Sequence, residues 1–483
     1  MARVSVAMEG DSQAARDGEK RPLTWESLPH AWKSSNVLRT NKTMTQTPQP
    51  ATYPQIFRFW LPLAATWLMM AVEGPFIAAI IARMGAEAVN LAAYGVAFAF
   101  ALVAEAPVIM LLSSATALCK DRISYRRLRH FSIALSLAVT LALALFLLPP
   151  VYDLVVRSII GLPAEVADLT RTALFVLLPW PGAIGLRRFY QGVLIAGHNT
   201  RRVAVATVFR LAFMSTTAVL CYLTTSISGA IIGALALSSG VVAETLMTRI
   251  LARRAIAALL ATDPQPEADI PSYRDIWDHY LPLALTPLIG LSVHPLVTLF
   301  LSRAPNPVES LAVMPVIYGL TFVFRAVGLS YQEIAIALLG ENRENYPRVR
   351  HFALMLAITT GSCLTLIAVT PLNRIWFEDV SGLTPALAAF AVVPLQVMAL
   401  FPALTVLVCF QRSILIVTQL TRPVSIATAV EAVVIFLLMF VALLYLPLAG
   451  ATAAAGAYVI GRLAAVILLQ RPVGRQIRKE YHD

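Results

Sequence analysis

The sequence predicts an all-α polytopic membrane protein with about twelve transmembrane helices, arranged as two pseudo-symmetric halves of six. Its 483 residues are 58% hydrophobic and 13% charged, with a mean hydropathy of +0.72. A soluble domain is about half apolar and about a quarter charged. The apolar excess lies in runs of about 20 residues, the length of a helix that crosses a bilayer. The second half of the sequence also repeats the first at an offset of 220 or 221 residues.

Twelve apolar runs are separated by short polar or proline-containing segments. We expect helices near residues 56–82, 91–118, 128–149, 170–195, 203–225, 227–249, 277–302, 310–339, 351–371, 384–410, 424–447 and 449–469.

The segments outside these runs divide the chain. Residues 1–53 are polar and mixed in charge without a sustained period, so we expect a disordered cytoplasmic N-terminal tail. The first six-helix half then spans 54–260 and the second spans 277–470. The proline-rich stretch 261–276 is interpreted as a cytoplasmic linker, and 471–483 as a cytoplasmic C-terminal tail.

Basic residues concentrate in every second loop. Five lie between 120 and 129 and three between 343 and 350, whereas the loop at 224–229 has none. Because loops rich in Lys and Arg stay in the cytoplasm, both termini are predicted to be cytoplasmic. The net charge of +11 therefore indicates orientation rather than a nucleic-acid partner. The Ala- and Arg-rich composition favours a bacterial source, and hence the plasma (bacterial inner) membrane.

The first and seventh helices are the closest match within the repeat. Residues 58–83 and 278–303 share the pattern LPLAxT. Equivalent pairs include Pro75 with Pro295 and Arg83 with Arg303. We expect both helices to be broken at their prolines, and such a pair of interrupted helices points to a transporter's binding site. Because each half has an even number of spans, the halves share one orientation and should enclose a cavity.

Several ionisable side chains fall inside the apolar runs. A charge at the bilayer centre costs at least about 2.5–3.5 kcal/mol, so each needs a reason to be there. The deepest are Glu73, Glu105, Arg210, His294, Arg325, Glu333, Glu431 and Arg462. Four others lie nearer the cytoplasmic ends, where snorkelling toward water is open to them: Arg187, Arg188, Glu244 and Arg412.

The repeat singles out two pairs of these residues. Glu105 and Arg325 are equivalent positions, and Glu73 adjoins the equivalent of His294. We expect Arg325 and His294 to attract an anionic substrate. Glu73, Glu105 and Glu333 are candidates for coupling or gating, through ion pairs between the halves or through a transported proton. The alternative is that such residues form structural ion pairs within one half.

The structural alternative is the one we favour for Arg210 and Glu431, which are themselves repeat-equivalent. We therefore expect both to be paired inside their own halves.

A second candidate group lies in spans 4 and 10. A stretch loosened by prolines and glycines is followed by Arg187, Arg188, Tyr190 and Gln191, and Arg412 lies in the counterpart helix. The planar guanidinium group suits phosphate or carboxylate. An interfacial anchor beside the basic loop is the alternative interpretation.

The sequence lacks the motifs of covalent catalysis. It has no GxxxxGK[ST] loop, HExxH, GxSxG or metal-spaced Cys/His cluster. We therefore expect no catalytic residues, no metal site and no cofactor, and we predict a protein that is not an enzyme. The expected partners are a small anionic solute, the lipid bilayer and a coupling proton or cation, and the expected state is a monomer.

The chain resembles the progressive ankylosis (ANKH) family of the multidrug/oligosaccharidyl-lipid/polysaccharide (MOP) superfamily. The strings that carry the resemblance are RFWLPLAAT (58–66), HPLVTLFLSR (294–303), AVVPLQVMALFP (391–402) and LPLAGAT (446–452). The likeness spans residues 54 to 470.

That resemblance implies a secondary exporter of small polyanions such as citrate, ATP or other nucleotides, or pyrophosphate. It implies alternating access around a central cavity, with Arg325 and His294 on a basic wall of the second half. Two rival transport functions stay open at this point. One is a MATE-type cation or drug antiporter that uses Glu73 and Glu105. The other is a flippase for a lipid-linked sugar, in which Arg187, Arg188 and Arg412 hold a pyrophosphate. A receptor or scaffold with a vestigial transporter fold is a rival of another class.

Overall fold

The computed structural model describes residues 51–481 apart from 198, 263–271, 342, 419 and 421. Most of the predicted N-terminal tail and of the predicted linker therefore lies outside the described residues.

Twelve helices in the described part are long and apolar enough to cross a membrane, which confirms the predicted fold class. They are numbered α1 to α12, and a helix interrupted by a short break keeps one number. Their bounds are α1 Tyr53–Ala71 and Glu73–Ala82, α2 Glu87–Glu105 and Leu111–Leu118, α3 Arg122–Phe146, α4 Ala164–Val176 and Trp180–Ala196, α5 Thr200–Thr224, α6 Gly229–Leu251, α7 Tyr273–Leu301, α8 Pro307–Glu341, α9 Tyr346–Val369, α10 Pro385–Met398 and Phe401–Val417, α11 Arg422–Tyr445, and α12 Gly450–Tyr481.

The loops after α2, α4, α6, α8 and α10 lie at one end of the bundle because successive helices run up and down. This end, which carries the basic loops, is called the basic end, and the opposite end is called the far end. The sequence repeat extends to irregular segments at the far end. Asp153–Ile160 and Ile375–Val380 are both π-helical. Each is followed within two residues by a glycine with positive φ, at Gly161 (79°) and Gly382 (76°). Glycine adopts this backbone conformation without steric cost.

The two helices expected to be broken by proline behave differently. Helix α1 is interrupted at Val72, directly before Glu73. Helix α7 is continuous through Pro282, Pro287 and Pro295, so the expected break in α7 was wrong. Membrane helices tolerate proline because neighbouring helices and local adjustments satisfy the freed backbone groups.

The two halves meet where α2 packs against α8. A Cβ atom on Gly95 would lie 2.4 Å from Cγ of Pro315, so these helices approach too closely for a larger residue. Gly95 and Pro315 are equivalent positions at offset 220. Contact between equivalent residues places them at the pseudo-twofold axis that relates the halves.

At the basic end, the first part of the first helix of each half packs against the other half. Trp60 of α1 packs its ring 5.8 Å from that of Phe352 in the second half. Its equivalent on α7, Tyr280, packs 5.2 Å from Phe131 in the first half. These four residues form two repeat-equivalent contacts. The sequence repeat therefore divides at the linker, whereas the packing at this end crosses between the halves.

Candidate functional site

A buried charge network occupies the interior of the first half, and Glu244 of α6 is at its centre. Glu244 is fully buried. Its carboxylate accepts hydrogen bonds from Arg187 Nη1 at 2.5 Å, from Gln191 Nε2 at 3.2 Å and from Thr207 Oγ1 at 3.3 Å. Glu244 and Arg187 therefore do not snorkel. Donors from α4 and α5 surround the carboxylate inside the bundle, and a buried ionic group with such partners has no need to reach water.

Arg210 of α5 extends this network to α1. Its Nε lies 3.2 Å from Glu244 Oε2, and its Nη2 donates to Glu73 Oε1. Glu73 begins the second segment of α1, which packs against α5 and α6. The structure thus pairs Glu73 with a residue of its own half.

Glu105 and Arg188 lie beside this network. Glu105 Oε2 accepts a hydrogen bond of 2.7 Å from Trp180 Nε1, which also belongs to the first half. Arg188 Nε has no hydrogen-bond partner among the described residues. Both side chains are enclosed in the bundle, yet both residues keep part of their surface accessible.

The remaining candidates of this group lie closer to the basic end. The ring of Tyr190 is covered by the guanidinium of Arg249, whose Cζ is 5.3 Å from the ring centroid. Arg412 of α10 donates to Thr428 Oγ1 at 3.1 Å. Glu333 of α8 is exposed and shares a hydrogen bond with Trp67.

Arg325 of α8 has a different environment, because aromatic rings surround it. Its Cζ lies 4.7 Å from the ring centroid of Phe401, 5.1 Å from Tyr318 and 5.7 Å from Phe322. Arg325 is only 8% exposed. Its Nε and Nη1 have no hydrogen-bond partner among the described residues. Ring faces attract a cation but leave its N–H donors free.

His294 and Arg462 join this aromatic group. The His294 ring packs edge-on against Tyr318 at 5.3 Å. Arg462 lies over Phe401 at 4.9 Å, and its Nε donates to Glu431 Oε1 at 2.8 Å. Glu431 is therefore paired inside its own half, as expected. Two arginines share the Phe401 ring, and only one of them has a carboxylate partner among the described residues.

The deep charges of the two halves differ in balance. The first half holds three arginines and three carboxylates: Arg187, Arg188, Arg210, Glu73, Glu105 and Glu244. The second half holds three arginines and two carboxylates, of which Glu333 is exposed: Arg325, Arg412, Arg462, Glu333 and Glu431. The second-half wall is therefore positive, whereas the first half neutralises its own charges.

The far end is closed by two equivalent contacts between the halves, called here the far-end clamp. Arg83, after α1, donates to the carbonyls of Asp379 and Val380 at 2.7 and 3.0 Å. Arg303, after α7, donates to the carbonyls of Ile159 and Ile160. Each arginine thus bonds the end of the π-helical segment that belongs to the opposite half.

Comparisons with known proteins identify the fold. No family model matches the chain, and no curated protein matches it. Among solved structures, an inward-facing multidrug resistance MATE family transporter of the MOP superfamily aligns with a TM-score of 0.68 at 18% identity, covering 86% of this chain and 96% of the other. The lipid II flippase MurJ in an inward closed conformation aligns at 0.65 and 15% identity, covering 84% and 87%.

The chain has the fold of the MOP-superfamily transporters. A third structure with this fold is a MOP superfamily transporter from Pyrococcus furiosus, described as having a binding pocket of reverse polarity that suggests a different function. It aligns with a TM-score of 0.58 at 17% identity and covers 88% of this chain and 95% of the other. The narrower resemblance to the progressive ankylosis family stays a prediction.

Sequence reasoning missed the aromatic group around Arg325. Phe401 lies in one of the strings that carried the resemblance, and Tyr318 lies two turns before Arg325 on α8. Neither residue is charged, so a search for ionisable residues in apolar runs passed over both. Spacing along α8 was the available signal for Tyr318, because residues seven apart share a helix face.

Proposed function

We propose that this protein is a secondary transporter that moves a small organic or phosphorylated anion by alternating access. The substrate class is that of citrate, nucleotides and pyrophosphate. The primary contact is Arg325, and the second-half wall around Phe401 forms the site.

The observation that carries this proposal is the unpaired state of Arg325. A buried guanidinium with free N–H donors carries an uncompensated desolvation cost, whereas an anion would supply both charge and acceptors. Arginine matches carboxylate and phosphate oxygens in a two-point geometry. An anion that enters the interior would therefore find unpaired N–H donors on Arg325.

The neighbourhood of Arg325 favours an anion with more than one charge. Arg462 lies on the same Phe401 ring, so a ligand between the two arginines would meet two guanidinium groups. His294 and Tyr318 add further polar groups beside them. A monovalent anion would leave one arginine with no new partner.

The charges of the first half supply the coupling element of the proposal. Glu105 is hydrogen-bonded to a neutral donor, Trp180. Protonation of the Glu105 carboxylate would therefore break no ion pair among the described residues. Glu73 is less suited to this role, because its protonation would release Arg210. A proton that enters at Glu105 would then reset the transporter after release of the anion.

Alternating access is supported by the closure of the far end and by the comparisons. An outward-facing MATE structure with the same description aligns with a TM-score of 0.57, below the 0.68 of the inward-facing one. In this state the interior would open at the basic end. By the distribution of basic loops, that end faces the cytoplasm. The Ala- and Arg-rich composition is the reason for placing the protein in the bacterial inner membrane.

Transport by the purified protein in proteoliposomes tests the proposal. Vesicles loaded with citrate, ATP or pyrophosphate should accumulate the labelled form of the same anion by exchange. We expect Arg325→Ala to lower this exchange at least tenfold, and Arg325→Lys to retain more of it because the charge persists. The matched control is Arg171→Ala, since Arg171 also lies over two rings, Tyr152 and Phe175, each at 5.7 Å.

Other outcomes identify the rivals. A cation or drug antiporter is the rival that the acidic residues of the first half suggest. It would be supported if the protein confers drug resistance on cells and this resistance is lost with Glu105→Gln but kept with Arg325→Ala. Accumulation of a lipid-linked precursor after deletion of the gene would support a flippase. Absence of exchange for every anion and drug would favour a scaffold and end the transport proposal.

A further inference from the structure

A cavity of about 470 Å³ opens at the basic end of the second half, away from the residues around Arg325. It lies between α9, α10 and α12. Its rim carries Arg350 of α9 and Arg478 of α12, and its wall includes the apolar side chains of Leu354 and Ile477. Ligand pockets in proteins range over about 300–1,000 Å³, so this cavity is large enough for a small molecule or a lipid headgroup.

The repeat-equivalent space in the first half is filled by the chain itself. After α6 the chain turns at Ala252, and the short helix Arg253–Ala261 folds back against α3 and α4. Ile256 of this helix is buried in a cluster with Tyr125 and Phe189.

In the second half the same positions diverge. Helix α12 runs straight on to Tyr481 instead of turning back. Ile477, the equivalent of Ile256 at offset 221, therefore stays on the wall of the open cavity and is only partly buried. Tyr346 and Phe410, the equivalents of Tyr125 and Phe189, line the same cavity. One half thus covers this surface with its own helix, whereas the other leaves it open.

A polar group at the bottom of the cavity lacks a partner. Gln411 lines the cavity and is 9% exposed. Its Nε2 donates to the Val466 carbonyl at 3.1 Å, but its Oε1 has no hydrogen-bond partner among the described residues. Buried amide oxygens are nearly always bonded, and because this one has almost no accessible surface, a ligand in the cavity would reach it only after the Gln411 side chain rotates.

The arrangement of groups suits one class of ligand. Two arginines at the rim favour a phosphate, the buried Gln411 oxygen favours a hydroxyl or ammonium donor, and the apolar wall favours hydrocarbon. Basic pockets between transmembrane helices at the cytoplasmic side bind anionic lipid headgroups. A free phosphate ion would use the arginines but would leave the apolar wall without contact.

We propose that this cavity binds an anionic glycerophospholipid whose headgroup carries a hydrogen-bond donor, such as phosphatidylglycerol. The phosphate lies between Arg350 and Arg478, and the headgroup hydroxyl donates to Gln411 Oε1 after that side chain rotates toward the cavity. The start of an acyl chain lies along Leu354 and Ile477. The site is separate from the proposed transport site, so it does not depend on the identity of the solute.

Lipid binding to the purified full-length protein tests this proposal. Native mass spectrometry would count phosphatidylglycerol and phosphatidylcholine retained after delipidation and titration with each lipid. We expect one phosphatidylglycerol to be retained in preference to phosphatidylcholine. Inorganic phosphate in millimolar amounts should not displace it.

Charge removal should weaken this retention. We expect Arg350→Gln/Arg478→Gln to raise the dissociation constant at least tenfold. The matched control is Arg471→Gln/Arg475→Gln, which removes two charges from the exposed surface of α12 outside the cavity lining. Gln411→Leu should reduce the preference for phosphatidylglycerol over phosphatidic acid, which lacks the headgroup glycerol hydroxyls.

A filled cavity provides a variant that keeps every charge. Gly474 lines the cavity, and a Cβ atom there would meet nothing within 4 Å. We expect Gly474→Phe to fold and to lose the lipid. Equal loss in the Arg471→Gln/Arg475→Gln control, equal retention of phosphatidylcholine, displacement by free phosphate, or unchanged binding by Gly474→Phe would each overturn the proposal.

Discussion

The two halves of this molecule share one architecture but treat their buried charges in opposite ways. In the first half Glu244 gathers Arg187 and Arg210, and Arg210 also holds Glu73. In the second half Arg325 contacts rings, and of the three deep arginines Arg325, Arg412 and Arg462 only Arg462 has an ion-pair partner among the described residues. Equivalent helices thus carry mutually paired charges in the first half and, at Arg325 in the second half, a cation without a carboxylate partner among the described residues.

This difference separates residues that stabilise the fold from residues that can serve a ligand. Charges that already pair with one another have no free partner to offer a solute. Removal of one member leaves the others buried and unpaired, which lowers the free energy of unfolding. An arginine that contacts only rings costs little to remove, because it leaves no carboxylate unpaired. Substitutions in the network of Glu244, Arg210 and Glu73 should therefore change stability, whereas those around Arg325 should change transport.

The largest expected effect is on stability, from Arg210→Met. Its removal leaves Glu73 and Glu244 short of a partner in the interior, and breaking a buried pair in this way costs about 3–5 kcal/mol. Arg325→Met should cost less, because it loses about 0.5–2 kcal/mol of cation–π contact but also relieves the desolvation cost of an unpaired charge. Unfolding in detergent, followed by fluorescence as denaturant is added, measures both.

Arg210→Met/Glu73→Gln is the control for that prediction. It removes one of the two stranded carboxylates, so it should recover part of the lost stability. If Arg325→Met destabilises the protein as much as Arg210→Met does, the contrast between the halves is wrong.

The sequence predicted the helices because each apolar run is longer than a bilayer is thick, and it predicted the repeat because one offset holds throughout. Contacts that the repeat relates, such as Trp60 with Phe352 and Tyr280 with Phe131, follow from that symmetry. The sequence also marked Arg325 and Glu73 as buried charges.

What the sequence could not supply is the partner of each charge. Glu73 and Arg210 are 137 positions apart, and the pairing depends on how α1 turns at Val72. The same limit applies to Glu244. Its distance from the end of α6 suggested access to water, but the neighbouring helices that close around it are distant in the sequence. Pairing between helices is set by tertiary packing, which hydropathy does not encode.

The far-end clamp provides an intermediate effect that should be symmetric between the halves. Arg83→Ala/Arg303→Ala removes hydrogen bonds from exposed arginines to backbone carbonyls, worth about 0.5–1 kcal/mol on each side. Because the contacts join the halves, their loss should shift the population toward a state open at the far end, roughly 5- to 30-fold for the pair. Spin labels at Ser158→Cys and Asp379→Cys, in a variant without native cysteines, would report the distance between the two π-helical segments.

The clamp has a matched control at the same end. Arg157 and Arg374 are also arginines near the π-helical segments, but they pair locally with Asp153 at 2.8 Å and with Glu378 at 3.0 Å. Arg157→Ala/Arg374→Ala should leave the distance distribution unchanged. A shift as large as that of the clamp variant would show that loss of surface charge, rather than contact between the halves, opens the far end.

The smallest expected effect concerns a contact that the two halves share. The first amides of α6 and α12 each bond to an equivalent side chain: Ala230 N donates to Asn90 Oδ1 at 2.9 Å, and Ala451 N donates to Ser310 Oγ at 3.2 Å. Loss of such a cap costs about 0.5–2 kcal/mol. Ser310→Ala should fall near the lower limit, because the bond it loses is longer.

Asn90→Ala should cost more than Ser310→Ala, because Asn90 Nδ2 also donates to the Gly85 carbonyl at 2.7 Å. Asn90→Ser restores the acceptor that Ser310 supplies in the other half, and it should recover most of the loss. The same detergent unfolding measurement compares the three variants. If Asn90→Ser is no more stable to unfolding than Asn90→Ala, the two caps are not interchangeable. The halves would then be equivalent in backbone structure but not in these side-chain contacts. If it recovers stability, the halves differ in their buried charges while the polar contacts that hold their helices together remain equivalent.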